Sequence, residues 1–118
     1  MTNARNSYQR GNLKAFDFYF EIKKLDGKTS DLFEMLQNSR NVEIIDKYKE
    51  TVIKIDEAKF IETLCKFSFL YSPNEETILN IVNYVCKTIN KEKLRLYLKN
   101  ITLHYKNRFY FYIEKNIA

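Results

Sequence analysis

Between Lys87 and Arg108 the chain places seven basic side chains, Lys87, Lys91, Lys93, Arg95, Lys99, Lys106 and Arg108, against one acid, Glu92. That stretch carries +6, whereas residues 1–86 sum to −1, so essentially the whole net charge of +5 sits in about a fifth of the chain. Clustered ammonium and guanidinium groups do one kind of chemistry well, which is to replace the counterions of a polyanion. Arg95 and Lys99 are spaced i, i+4 with Lys91 one turn earlier, so on a helix the three share a face. Tyr105, Tyr110 and Tyr112 follow closely, and tyrosine rings are surfaces on which bases can stack. These ten residues form the candidate site for nucleic acid or another acidic partner. A solvated lysine-rich face, with the tyrosines covering a sheet, would use the same residue types.

Other chemistry-bearing residues are sparse. The single histidine, His104, has no nucleophile elbow or glycine-rich oxyanion segment beside it. Cys65 and Cys86 read as small buried hydrophobes kept reduced, because the chain opens on a polar stretch without the apolar core of a secretion signal. Neither metal nor cofactor is expected: two cysteines and one histidine lack paired-ligand spacing, and two glycines sixteen residues apart cannot cradle a phosphate. The expectation is a protein that is not an enzyme. Asp17 with Glu21-Ile22-Lys23 on one strand resembles the carboxylate and lysine pattern of PD-(D/E)xK nucleases, which would imply divalent-metal phosphodiester chemistry. In that family the aspartate arrives from a neighbouring strand, whereas here it shares the strand. Alternating charges on a solvated strand face account for the same residues.

The elements that would position these groups follow from periodicity. Phe16, Phe18, Phe20 and Ile22 alternate with Asp17, Tyr19, Glu21 and Lys23, which predicts a half-buried strand closed by the turn Asp26-Gly27. Ser30 or Asp31 would cap a short helix to about Asn38, with Leu32, Phe33 and Leu36 as its apolar stripe. Val42 to Ile45 and Thr51 to Ile55 are β-branched runs around charged Asp46 to Glu50, and predict a hairpin, although the stretch also carries helical spacing. Asp56 opens a helix with Phe60, Ile61, Leu64, Phe67 and Tyr71 at helical spacing. Ser72-Pro73-Asn74-Glu75 reads as a capping box, starting a helix whose buried face is Ile78, Ile81, Val82, Val85 and Ile89. Asn90 caps a third helix with Leu94, Tyr97 and Leu98. Ile101 to Tyr105 and Arg108 to Ile113 then predict a terminal β-hairpin turning at Lys106-Asn107.

The predicted fold class is therefore α+β: a flexible arm over residues 1–12, then a single domain over 13–118. That domain is an N-terminal strand-helix-hairpin, two to three central helices and a C-terminal β-hairpin. Helix, helix and hairpin over about residues 73–113 resemble the second half of a winged-helix DNA-binding domain, with Lys106-Asn107-Arg108 at the wing tip. The first helix is longer than usual there, and Ile89-Asn90-Lys91 lacks the glycine-containing turn. Residues 16–71 resemble a ferredoxin-like start, but the third strand has none of the aromatics of the RNA-binding version.

At 118 residues with 45% apolar content the chain suits one core, and two glycines with one proline predict long helices and few turns. Asn, Lys, Ile, Tyr and Phe make up 57 residues, all with AT-rich codons, which points to a virus, phage, mobile element, parasite or low-GC bacterium. No apolar run approaches the length of a membrane span, and a cytoplasmic location in the host cell or bacterium is expected. The expected function is that of a small basic binding protein contacting nucleic acid or a nucleoprotein complex through its C-terminal third. The alternative is a protein-interaction inhibitor of a host or defence complex, of anti-CRISPR type, or a small subunit of a larger assembly. A homodimer would arise if the edge of the terminal hairpin paired with a second copy.

Overall fold

The computed structural model describes residues 17–22, 29–68, 74–101 and 107–117. Among these, 86% are helical and no strand occurs, which overturns the α+β expectation. After a helical segment at 17–22 come α1 (Thr29–Ser39), α2 (Val42–Ile55), α3 (Glu57–Cys65), α4 (Glu75–Thr88), α5 (Lys91–Lys99) and α6 (Arg108–Ile117). The arm at residues 1–12, Lys23, the Asp26-Gly27 turn, Ser72-Pro73, His104, Tyr105 and Lys106 lie outside the described residues.

Three predicted β elements are helices, each for a readable reason. At 17–22 only Phe20 is buried, stacked on Tyr48 of α2 with ring centroids 4.1 Å apart, while Phe18 is 58% exposed. An alternating strand would have buried both. Asp17 pairs with Lys47 of α2 at 2.8 Å, so the segment docks as a helical turn through one ring and one ion pair. In α2, Ile45, Tyr48 and Val52 recur at i, i+3 and i+7 and turn inward with Ile44 and Ile53. The charged middle read as a hairpin turn contains no Gly, Asn or Pro, and Asp46 and Lys49 form an i, i+3 pair there at 2.8 Å. β-Branched residues cost a helix only tenths of a kcal/mol each, about 0.7 at most, which burial of this face outweighs. In α6, Phe109, Tyr110, Ile113 and Ile117 are buried at i, i+1, i+4 and i+8, whereas Phe111 is 53% exposed. A strand over Arg108 to Ile113 would set Phe109, Phe111 and Ile113 on one face; Phe109 and Ile113 fit either period, and the exposure of Phe111 separates the two.

With these helices both partial fold resemblances fall. Among the described residues no hairpin wing follows α5, and the strand-helix-strand-strand order over 16–71 is absent. The sheet edge offered for a homodimer goes with them, since Arg108 to Ile113 lie inside α6.

The predicted central helices are present, although the one opened by Asp56 ends at Cys65 and does not carry Phe67, and Tyr71 lies outside the described residues. α3 sits in the middle, touching α1, α2, α5 and α6, and its Phe60, Ile61, Thr63, Leu64 and Cys65 are buried on nearly every side. α4 packs on α2 and α6 through Ile78, Ile81, Val82 and Val85, and α5 packs on α3 and α6 through Leu94 and Leu98. Thr77 of α4 donates to Glu43 of α2 at 2.9 Å, satisfying a hydroxyl that would otherwise be buried unpaired.

The α1–α2, α2–α3 and α4–α5 junctions are one or two residues long because asparagine and aspartate do the turning. Asp56 alone separates α2 from α3: its N–H donates to Val52 O and its carboxylate accepts from Lys59 N. Asn41, Asn74 and Asn90 accept from Glu43, Glu76 and Glu92 N–H groups at 2.8–2.9 Å, starting α2, α4 and α5. The α4 start therefore lies at Asn74 and Glu75, two residues beyond the predicted cap at Ser72. Likewise Ser30 and Asp31 lie within α1 instead of capping it.

Arg40, between α1 and α2, has φ 54, a left-handed conformation that costs a residue with a Cβ roughly 1–2 kcal/mol. Glycine there would remove that cost and add about 0.5–1 kcal/mol of chain entropy. Arg40→Gly is thus expected to raise the unfolding free energy by up to about 1 kcal/mol, while Arg40→Ala leaves it near wild type; thermal melts of the two variants check this.

Candidate nucleic-acid interface

α5 carries most of the predicted site. Only Leu94 and Leu98 of its nine residues are buried, Tyr97 is half-buried, and Lys91, Glu92, Lys93, Arg95, Leu96 and Lys99 are exposed. Lys91, Arg95 and Lys99 form the predicted stripe, about 6 Å apart along the axis. Lys93 is not part of it. At about 100° per residue it points roughly 160° away from Arg95, on the flank that holds Tyr97. Lys87, also exposed, stands in the last turn of α4, and Lys99 in the last turn of α5, where each also complements a helix dipole.

Lys47, Lys49, Lys59 and Lys66, in α2 and around α3, each have a carboxylate between 2.8 and 3.8 Å away. By contrast Lys87, Lys91, Lys93 and Lys99 have no carboxylate partner among the described residues. Arg95 is engaged differently: its Nη2 donates to the Ile117 carbonyl at 2.8 Å, so it caps the end of α6 with a cation as well as adding charge to the stripe.

The remaining predicted residues are placed elsewhere. Arg108 pairs with Glu75 at 3.2 Å, and the Tyr112 hydroxyl donates to the same carboxylate, which tie the start of α6 to the start of α4. That hydrogen bond, followed by burial and the Glu75 charge, raises the Tyr112 pKa and keeps its hydroxyl protonated. Tyr110 is 8% exposed and belongs to the core. Neither described tyrosine of the candidate set therefore stands free beside the α5 lysines.

Both cysteines are free thiols. Burial pushes the Cys65 pKa up to about 12 and raises that of half-buried Cys86, so neither is poised as a thiolate. Asp17 and Glu21 sit one helical turn apart on 17–22, with Asp17 committed to Lys47, so the strand geometry of the nuclease resemblance is lost. No group of three or more His, Cys, Asp or Glu converges on a metal position among the described residues.

Sequence reading missed a polar groove of about 490 Å³ between α1 and α3, lined in part by Gln37, Asn38, Lys59, Glu62 and Lys66. Its two lysines share Glu62, at 3.8 and 2.9 Å, and Glu34 also lines the groove, so its formal charges cancel. No period or motif marks it, because its walls come from two helices and its residues are ordinary surface types.

No family model, curated protein or solved structure matches this chain.

Proposed function

We propose that the protein is a non-enzymatic nucleic-acid-binding protein that grips phosphates through Lys87, Lys91, Lys93 and Lys99, on α5 and the adjoining end of α4. The observation that carries this reading is the contrast in pairing among the described residues: Lys47, Lys49, Lys59 and Lys66 each lie within 3.8 Å of a carboxylate, with Lys54 alone unpaired among the lysines of α2 and around α3, whereas these four all lack one. Unpaired ammoniums on an exposed helix face supply sequence-independent affinity by displacing counterions. A cytoplasmic location, where nucleic acid is at hand, accompanies the reading; no described helix is long and apolar enough to cross a membrane.

Four phosphate contacts imply that the logarithm of the binding constant falls against the logarithm of salt with a slope of about −3 to −4. Fluorescence anisotropy on labelled DNA and RNA measures it. Reversing Lys91, Lys93 and Lys99 together to glutamate is expected to abolish binding with little change in melting temperature. Arg95 is left in place because it also caps α6. Unchanged anisotropy with single- and double-stranded probes at low salt would defeat the proposal.

The second reading, an inhibitor or subunit acting on a protein surface, draws on Phe111, which stands 53% exposed on α6. Binding through that ring would be insensitive to salt and lost in Phe111→Ala.

A further inference from the structure

α5 presents a crest as well as a charged stripe. Its buried residues, Leu94 and Leu98, define the inward face, and at about 100° per residue Leu96 points directly away from them. Leu96 is 54% exposed, an apolar side chain at the summit of a helix whose mean hydropathy is otherwise strongly polar. Lys93 and Lys99, three residues before and after it, flank that summit at roughly 60° on either side. Glu92, one turn before Leu96, lies close to the same crest line.

We infer that α5 enters the major groove of double-stranded B-form DNA, with Leu96 against thymine methyl groups and Lys93 and Lys99 reaching the two bordering phosphate strands. The inference rests on the nucleic-acid reading above and names its ligand. A major groove about 12 Å wide admits one helix, and a convex helix with a cation on each flank matches a concave groove with an anionic strand on each side. An apolar tip between them fits the thymine methyl, the apolar group on the groove floor, and the Glu92 carboxylate faces base amino donors instead of phosphate. The alternatives fit less well. Single strands are held in grooves with stacking rings, whereas of the two described tyrosines of the candidate set Tyr110 is buried and Tyr112 is bound to Glu75. The major groove of A-form RNA is too deep and narrow for side chains to read.

The test compares the full chain on an alternating d(A-T) duplex, on the alternating d(A-U) duplex that lacks only the methyl groups, and on single-stranded DNA, at fixed low salt. The wild type is expected to bind d(A-T) about fourfold more tightly than d(A-U) for each methyl contacted, the value of one buried methyl group. Leu96→Ala, at an exposed position, is expected to erase that difference while leaving the salt slope unchanged. Equal binding to the two duplexes, a difference that survives Leu96→Ala, or single strands bound as tightly as duplex would each overturn the inference while leaving phosphate binding in place. Failure to bind any of the probes would remove the underlying reading as well.

Discussion

Phe60→Ala is expected to lower the unfolding free energy by about 3–5 kcal/mol, at the top of the range for a single truncation in a core. Phe60 is fully buried on α3, and α3 contacts four of the other helices. A cavity at this point therefore removes packing from several interfaces at once, and close-packed interiors relax only partly around such a loss. Domains of this size hold roughly 5–15 kcal/mol in total, so the variant should show an unfolded population at 37 °C. Urea titrations followed by far-UV circular dichroism measure the shift, with an unchanged m-value if unfolding stays two-state. Should Phe60→Ala fail to fold, Ile61→Val, also fully buried on α3, is expected to cost about 0.5–1.5 kcal/mol. Wild-type stability in both variants would contradict a central position for α3.

Asn107→Ala is expected to cost about 2–3 kcal/mol and to lower the melting temperature by roughly 10 °C. The side chain works in two directions. Its Oδ1 accepts from Tyr110 N at 3.1 Å and so starts α6, and its Nδ2 donates to Leu64 O at 2.6 Å and Phe67 O at 3.1 Å, at the end of α3. One amide thus satisfies orphan groups of two helix termini and joins them. Asn107→Ser keeps a capping oxygen and should recover about 1 kcal/mol. Asn107→Asp also keeps one, but sets a carboxylate oxygen against the two carbonyls and should do no better than alanine. A loss below about 0.5 kcal/mol in Asn107→Ala would show that the bridge is not formed in solution.

Asn107 also shows how far the sequence could be read. Its type marked a break in the chain, and a break is there, but the turn of a β-hairpin and the first cap of a helix want the same residue. Asp56 and Asn90 were legible as caps because an amphipathic period follows each. At Asn107 the following residues, Arg-Phe-Tyr-Phe-Tyr-Ile, are aromatic and β-branched, which favours the strand choice by local preference alone. The same competition decided α2 and the segment at 17–22. Asparagine abundance, which codon bias alone explains, acquires a structural use in this fold: Asn41, Asn74, Asn90 and Asn107 each supply the side-chain oxygen that starts a helix.

The candidate site was legible in part. The i, i+4 stripe of Lys91, Arg95 and Lys99 follows from helix geometry once a helix is granted. That Lys93 lies on the opposite flank follows from the same geometry, yet a count of charges along the chain merges the two. That Arg108 and Tyr112 are drawn to Glu75, and Arg95 to Ile117, depends on which helix ends meet, and no local spacing encodes it.

By itself the sequence determined the local and periodic features: the helices from Asp56 to Asn100, their buried faces, most of their caps and the concentration of positive charge in the C-terminal third. These depend on neighbours within a turn or two of the chain. Tertiary structure alone decided the secondary structure of the β-branched and aromatic stretches and the partners of individual cations. Intrinsic preferences there differ by only tenths of a kcal/mol per residue, up to about 0.7, whereas burying one large side chain is worth about 1.5–3 kcal/mol. The central α3 gives those stretches an apolar surface to cover, and helices that bury Tyr48, Val52, Phe109 and Ile113 against the core outweigh the local bias toward strand.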